Sequence, residues 1–99
     1  MEHFDALIQG DKPVVVHFFA DWNESCRIMK PVIEEIKEIA AGNVMAVNVD
    51  ISRHPHYSDS YNIISIPTIV IFKNGHELWR KVGFAGAEEI LRHLSATTA

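Results

Sequence analysis

The spacing of apolar residues changes from one segment of the chain to the next and predicts eight elements. A continuous β-branched and aromatic run over 14–20 is typical of a central strand buried on both faces. Residues 24–41 carry apolar side chains at helical spacing, and Gly42 is expected to end this long helix. Further helices are predicted over 3–9, 56–62 and 86–94, and further strands over 44–49, 68–72 and 77–82.

The long helix is expected to bury one broad apolar face. That face consists of Met29, Val32, Ile33, Ile36, Ile39 and Ala40. Asn74-Gly75 is a strong signal for a tight hairpin between the last two strands. The chain after residue 94 is expected to fray, because terminal residues are ordered only when other elements hold them.

The element order α-β-α-β-α-β-β-α predicts an α/β fold. The first strand–helix–strand unit requires a right-handed parallel crossover, and the closing hairpin adds antiparallel strands. The expected architecture is a mixed four-stranded sheet with helices on both faces. A chain of 99 residues with 47% hydrophobic content suits a single domain, 1–99.

Charge and cysteine content narrow the classes of function. The net charge of −4 argues against nucleic acid and against an anionic membrane as partners. Met1 to Asp5 lack the features of a secretory signal, which makes a cytoplasmic location the expectation. Cys26 is the single cysteine, so no intramolecular disulfide can form. We expect no cofactor and no metal, because His54, His56 and Asp59 lack a recognised ligand spacing.

Five landmarks resemble the thioredoxin family, in the right order, over about residues 3–95. They are Phe18-Phe19-Ala20-Asp21-Trp22, Pro31, Ile66-Pro67-Thr68, Phe72-Lys73-Asn74-Gly75 and Lys81-Val82-Gly83. The resemblance implies a thioredoxin-like fold with a cis peptide bond before Pro67. It also implies a groove that binds an extended peptide beside the redox motif. The matching positions are Trp22, Asn23, Glu24, Ser25, Ile66, Pro67, Gly83 and Phe84.

The redox motif of that family is a tryptophan followed by Cys-x-x-Cys, and this chain departs from it. Asn23 occupies the position of the attacking cysteine, and Cys26 that of the resolving cysteine. His17 and Ala46 stand where the family has a buried acid and a buried lysine. Dithiol exchange needs a second thiolate, so one chain is not expected to act as a dithiol reductase. Whether the protein is an enzyme stays open.

Three of these positions each have a structural and a chemical interpretation. Asn23 is a good helix N-cap residue or has a new catalytic role. Cys26 is a buried inert residue or a single reactive thiol at a helix N-terminus. His17 is a buried neutral histidine or accepts the proton of Cys26 and thereby modulates its pKa.

Two hypotheses of function follow from these alternatives. In the first, a thioredoxin-like protein without the dithiol binds a cysteine-containing polypeptide in the groove by Pro67. Cys26 then forms a mixed disulfide with that protein or with glutathione, in a monothiol role in redox homeostasis. In the alternative, the same groove serves a redox-inactive module that binds a polypeptide non-covalently.

Overall fold

A computed structural model describes residues 4–98 of the chain. Its helices are α1 (Phe4–Leu7), α2 (Glu24–Ala40), α3 (His56–Ser60) and α4 (Ala87–Thr98). Its strands are β1 (Val14–Phe19), β2 (Met45–Asp50), β3 (Thr68–Lys73) and β4 (His76–Val82). The predicted element order is confirmed. Position 3, the predicted start of the first helix, lies outside the described residues.

The strands form a mixed four-stranded sheet in the order β2-β1-β3-β4. β1 runs parallel to β2, with Val16 opposite Val47. β1 is antiparallel to β3, and β3 is antiparallel to β4. The sequence-based prediction of a mixed sheet with helices on both faces is therefore confirmed.

The β3–β4 turn is fixed by two residues with positive φ. Asn74 has φ 55° and Gly75 has φ 79°, values that suit a tight hairpin. The amide of Gly75 donates to the carbonyl of Ile8 at 2.7 Å, which ties the turn to the segment after α1. A Cβ at Gly75 would meet only the movable end of the Gln9 side chain, so the positive φ, rather than a lack of space, is what favours glycine here.

Each face of the sheet has its own apolar core. The α1 and α3 face contains Ile8, Val14, Val16, Phe18, Val49, Tyr57, Ile63, Val70 and Phe72. The α2 and α4 face contains Val15, Met29, Ile33, Ile36, Ala46, Ile69, Ile71, Ala85, Ile90 and Leu94. All six residues of β1 are buried, as expected for a central strand covered on both sides.

Ile39 departs from the predicted inner face of α2, because 57% of it is exposed. The fully buried residues of this helix are Cys26, Met29, Ile33 and Ile36, spaced three, four and three apart. The next position in that series is residue 40, and Ala40 is indeed half-buried. Beyond it, Ala41 caps the helix and Gly42 takes φ 83°, which confirms Gly42 as the residue that ends α2.

The prediction that the chain frays after residue 94 is wrong, because α4 continues to Thr98. The Thr97 hydroxyl donates to the carbonyl of Leu94 at 2.7 Å. Lys73, at the end of β3, donates from Nζ to the carbonyl of Thr97 at 3.3 Å. Lys73 thus provides a hydrogen bond to a carbonyl of the last turn that has no partner within the helix.

We expect Ile33→Ala and Ile39→Ala to differ sharply in their effect on stability. Ile33 is fully buried against the sheet, so its truncation leaves a cavity and should lower the free energy of unfolding by about 3 kcal/mol. Ile39 is mostly exposed, so the same change there should cost well under about 1 kcal/mol. Urea unfolding followed by circular dichroism measures both. Equal losses would contradict the burial of α2 described here.

Candidate functional site

The sheet register brings three loops to one end of the sheet. Near the end of β1, Phe18 lies opposite Thr68 of β3, and Thr68 lies opposite Val82 of β4. The loop after β1, the loop before β3 and the loop after β4 therefore adjoin one another. A hydrogen bond of 2.8 Å from the Gly83 amide to the Pro67 carbonyl joins two of them directly.

The aromatic residues of these loops face solvent. Trp22 is 75% exposed and Phe84 is 49% exposed. Ile66 and Gly83 are half-buried, Pro67 is buried, and the Ile66–Pro67 peptide bond is cis. We call this surface, made of Trp22, Ile66, Pro67, Gly83 and Phe84, the peptide groove.

Asn23 is the N-cap of α2. Its backbone is extended (φ −94°, ψ 124°), and its Oδ1 accepts from the Cys26 amide at 3.0 Å. Such a cap stabilises a helix by about 1 kcal/mol relative to alanine. The exposed residues Glu24 and Ser25 follow in the first turn, and Glu24 pairs with Arg27 at 3.3 Å. This segment thus has the geometry of a stabilised helix start.

The Cys26 side chain is fully buried, with no accessible surface. Burial raises the pKa of the thiol, because a thiolate would lose its hydration there. The backbone amide of Ala20 and the charge of Lys30 oppose this effect but do not reverse it. The thiol is therefore protonated near neutral pH, and the helix N-terminus alone does not make it nucleophilic.

Lys30 is a cation of α2 whose charge acts on both Cys26 and His17. Its Nζ lies 2.9 Å from Asp21 Oδ1 and 4.4 Å from the centre of the Phe19 ring. Its charge lowers the pKa of both Cys26 and His17. Since the ammonium already pairs with Asp21, only part of its field is left to stabilise a thiolate.

His17 is fully buried in the middle of β1 and stacks on Phe19, with ring centroids 5.4 Å apart. Its Nδ1 lies 2.8 Å from Asn48 Oδ1, an acceptor, which assigns the ring hydrogen to Nδ1. Nε2 then carries a lone pair, and it has no hydrogen-bond partner among residues 4–98. Desolvation lowers the pKa of His17, and Lys30 adds to that effect, while the bond to Asn48 opposes it.

Asn48 is a residue of the site that sequence reasoning missed. It lies directly opposite His17 across the β1–β2 pair, whereas Ala46 lies opposite Val15 and packs in the α2 core. The available signal was a single polar residue inside the otherwise apolar run 44–49. A buried histidine needs a hydrogen-bond partner, and the neighbouring strand supplies it.

Of the histidines that the sequence singled out as a possible metal cluster, His54 lines a cleft shared with Asn48 and Phe19. His54 lies in the turn before α3, and His56 begins α3 with its ring 4.1 Å from that of Tyr57. Within the described part of the chain, no group of three or more His, Cys, Asp or Glu residues could hold a metal ion. No helix of the described residues is long and apolar enough to span a bilayer.

Comparison with known proteins shows the family to which the sequence is related. A sequence model described as Thioredoxin matches residues 1–96. A thioredoxin of Alicyclobacillus acidocaldarius is 37% identical over 93 residues, which cover 94% of this chain and 89% of that protein. A thioredoxin of Mycobacterium bovis is 35% identical, with coverage of 90% and 77%. Thioredoxin Y1, a chloroplastic protein of Arabidopsis thaliana, is 30% identical, with coverage of 91% and 52%.

We expect the protein to lose stability between pH 7 and pH 5 through His17. Its pKa in the folded state lies below the ordinary value of 6.5. In that window the unfolded chain binds more protons at this position, so the free energy of unfolding falls as pH falls. His17→Gln keeps a neutral donor for Asn48 and should flatten the profile measured by urea unfolding. If the stability of wild type and of His17→Gln changed with pH in the same way, His17 would be excluded as the source of the pH dependence.

Proposed function

Because the chain belongs to the thioredoxin family, we propose that it binds an extended polypeptide segment non-covalently in the peptide groove. The observation that carries this proposal is the contrast between a closed thiol and an open apolar surface. Cys26 is fully buried with a raised pKa, whereas Trp22, four residues before it, is 75% exposed. The groove can therefore bind a partner while the thiol stays shielded.

The chemistry of the groove suits an extended backbone flanked by apolar side chains. Exposed aromatic residues that lie together usually mark a contact surface. Ile66 supplies the backbone groups, because within residues 4–98 neither its amide nor its carbonyl forms a hydrogen bond. A partner strand can pair with both, and the aromatic side chains of Trp22 and Phe84 can pack against its side chains.

The ion pairs around the groove favour an uncharged partner. Asp21 pairs with Lys30 at 2.9 Å, and Lys81 pairs with Glu89 at 3.0 Å. These charges are satisfied within the chain, so a charged partner would find no free counterion among them. Affinity is then expected to come from apolar burial and backbone pairing.

A monothiol role is the second candidate, and His17 is the observation that favours it. Its Nε2 lone pair is buried on the sheet beneath α2 and has no partner in the described part of the chain, so it can accept a proton. In this role Cys26 would give up its proton, and its thiolate would attack a disulfide of a protein or of glutathione. One sulfur of that disulfide would leave as a thiolate, and an external thiol would later resolve the mixed disulfide. The first turn of α2 would have to open before the reaction.

We expect wild-type protein to bind a subset of cysteine-free, apolar eight-residue peptides on a synthetic array. Trp22→Ser should weaken the selected complexes at least about tenfold, because it removes the largest exposed apolar side chain of the groove. Fluorescence anisotropy with labelled peptides measures the dissociation constants. Leu78→Ser, which changes an exposed apolar residue on β4, is the control and should leave them unchanged. If Trp22→Ser left the dissociation constants unchanged, the peptide groove would be excluded as the binding site.

Cys26 is expected to react slowly with oxidised glutathione in the folded protein at pH 7. The thiol is buried and protonated, so a mono-adduct should form at an ordinary rate only after denaturation in urea. Intact mass spectrometry over time measures the adduct. Rapid reaction of the folded protein, slowed by His17→Ala, would instead support the monothiol role.

A further inference from the structure

We infer that the polypeptide bound in the peptide groove continues into a second cleft along the β3–β4 hairpin. This inference rests on the proposed function, because it extends the footprint of the same partner. We call the second cleft the hairpin cleft. It lies between the segment after α3 and the face of the hairpin, and its volume is about 590 Å³. Its lining residues are Ser60, Tyr61, Asn62, Ile64, Phe72, Gly75, Glu77, Arg80 and Val82.

The hairpin cleft is continuous with the peptide groove at one end. Ile64 lies two residues before Ile66, and Val82 lies directly before Gly83. Val82 is also opposite Thr68, the residue that follows Pro67. A chain that leaves the peptide groove on this side therefore meets the hairpin cleft without a gap.

Two exposed apolar residues form the entrance to the cleft. Ile64 is 87% exposed and Val82 is 52% exposed. No other residue of the described structure covers most of either side chain, although the neighbour of Ile64, Ile63, is buried. A partner side chain at this position would remove both from water.

The lining of the cleft beyond its entrance is polar, and its two charged residues are paired with each other. Arg80 donates to the Glu77 carboxylate at 2.8 and 2.9 Å, and to the carbonyls of Tyr61 and Asn62 at 2.7 and 3.0 Å. Its guanidinium is thus already engaged and offers little to a carboxylate or phosphate. Ser60 and Asn62 add uncharged polar side chains to the lining.

The lining defines the chemistry and the length of the partner segment. Gly75 and Val82, at opposite ends of β4, both line the cleft, so it runs along the whole seven-residue strand. An extended chain rises about 3.3 Å per residue, so roughly seven partner residues fit. The segment would place an apolar side chain between Ile64 and Val82 and uncharged polar residues beyond it.

The test compares short and long peptides. The tightest eight-residue peptide from the array is extended by seven uncharged residues that begin with leucine, at its N-terminus in one probe and at its C-terminus in another. One of the two long probes should bind at least about fivefold more tightly than the short one, since the added leucine buries apolar area. Fluorescence anisotropy measures all three probes under the same conditions.

Ile64→Ser should abolish the gain of the long probe and leave the short probe unchanged. Ile39→Ser is the matched control, because it removes an isoleucine that is also exposed, at 57%, but lies on α2. That control should change neither probe. Both substitutions replace exposed side chains, and circular dichroism verifies that each variant is folded.

The outcomes separate this inference from the proposed function. A gain that Ile64→Ser removes supports the hairpin cleft. No gain in either long probe, or a gain that survives Ile64→Ser, overturns the hairpin cleft while the short probe still reports on the peptide groove. Short-probe binding that does not depend on Trp22 overturns the proposed function, and the inference fails with it.

Discussion

The pairing of β1 with both of its neighbours is the constraint on which the site depends. β1 is buried on both faces, parallel to β2 and antiparallel to β3, so a register shift would expose one complete core. The same register brings the loop after β1, which carries Trp22, next to the loop before β3, which carries Pro67. It also sets His17 opposite Asn48, which satisfies one nitrogen of a histidine that has no access to water. Fold and site are thus fixed by one set of backbone hydrogen bonds.

The thiol shows how burial outweighs a favourable helix position. The N-terminus of a helix stabilises a negative charge by about 0.3–1 kcal/mol at an exposed site. The amide of Ala20 and the charge of Lys30 add to that stabilisation, yet the pKa of Cys26 is raised, because loss of hydration is the largest effect. Asn23 also contributes to the burial of the thiol. By capping the Cys26 amide it stabilises the first turn of α2, and so keeps the sulfur covered.

The sequence predicted most of the fold because its signals are local. The apolar run of β1, the Asn74-Gly75 turn and the glycine after α2 each act within a few residues. The features that it missed depend on other elements. α4 extends to Thr98 because Lys73 from β3 reaches its last turn, and Asn48 becomes important only when β2 lies beside β1. The helical spacing of apolar residues also predicted that Ile39 would be buried. In the structure, the next inward position of α2 after Ile36 is residue 40, so Ile39 faces outward.

Peptide binding and disulfide exchange would use different atoms in this fold. A substitution can therefore affect the exchange reaction and leave the binding surface intact. Disulfide exchange needs two sulfur atoms and a path for a proton, and this chain has one cysteine, buried beneath a capped helix start. The proposed peptide binding would need only the Ile66 backbone groups, which form no hydrogen bond within residues 4–98, and exposed apolar side chains such as Trp22 and Phe84. None of these depends on the residue at position 23. Asparagine at the position of the attacking cysteine therefore leaves the chain without the pair of thiols that dithiol exchange requires, while it caps the helix that borders the groove.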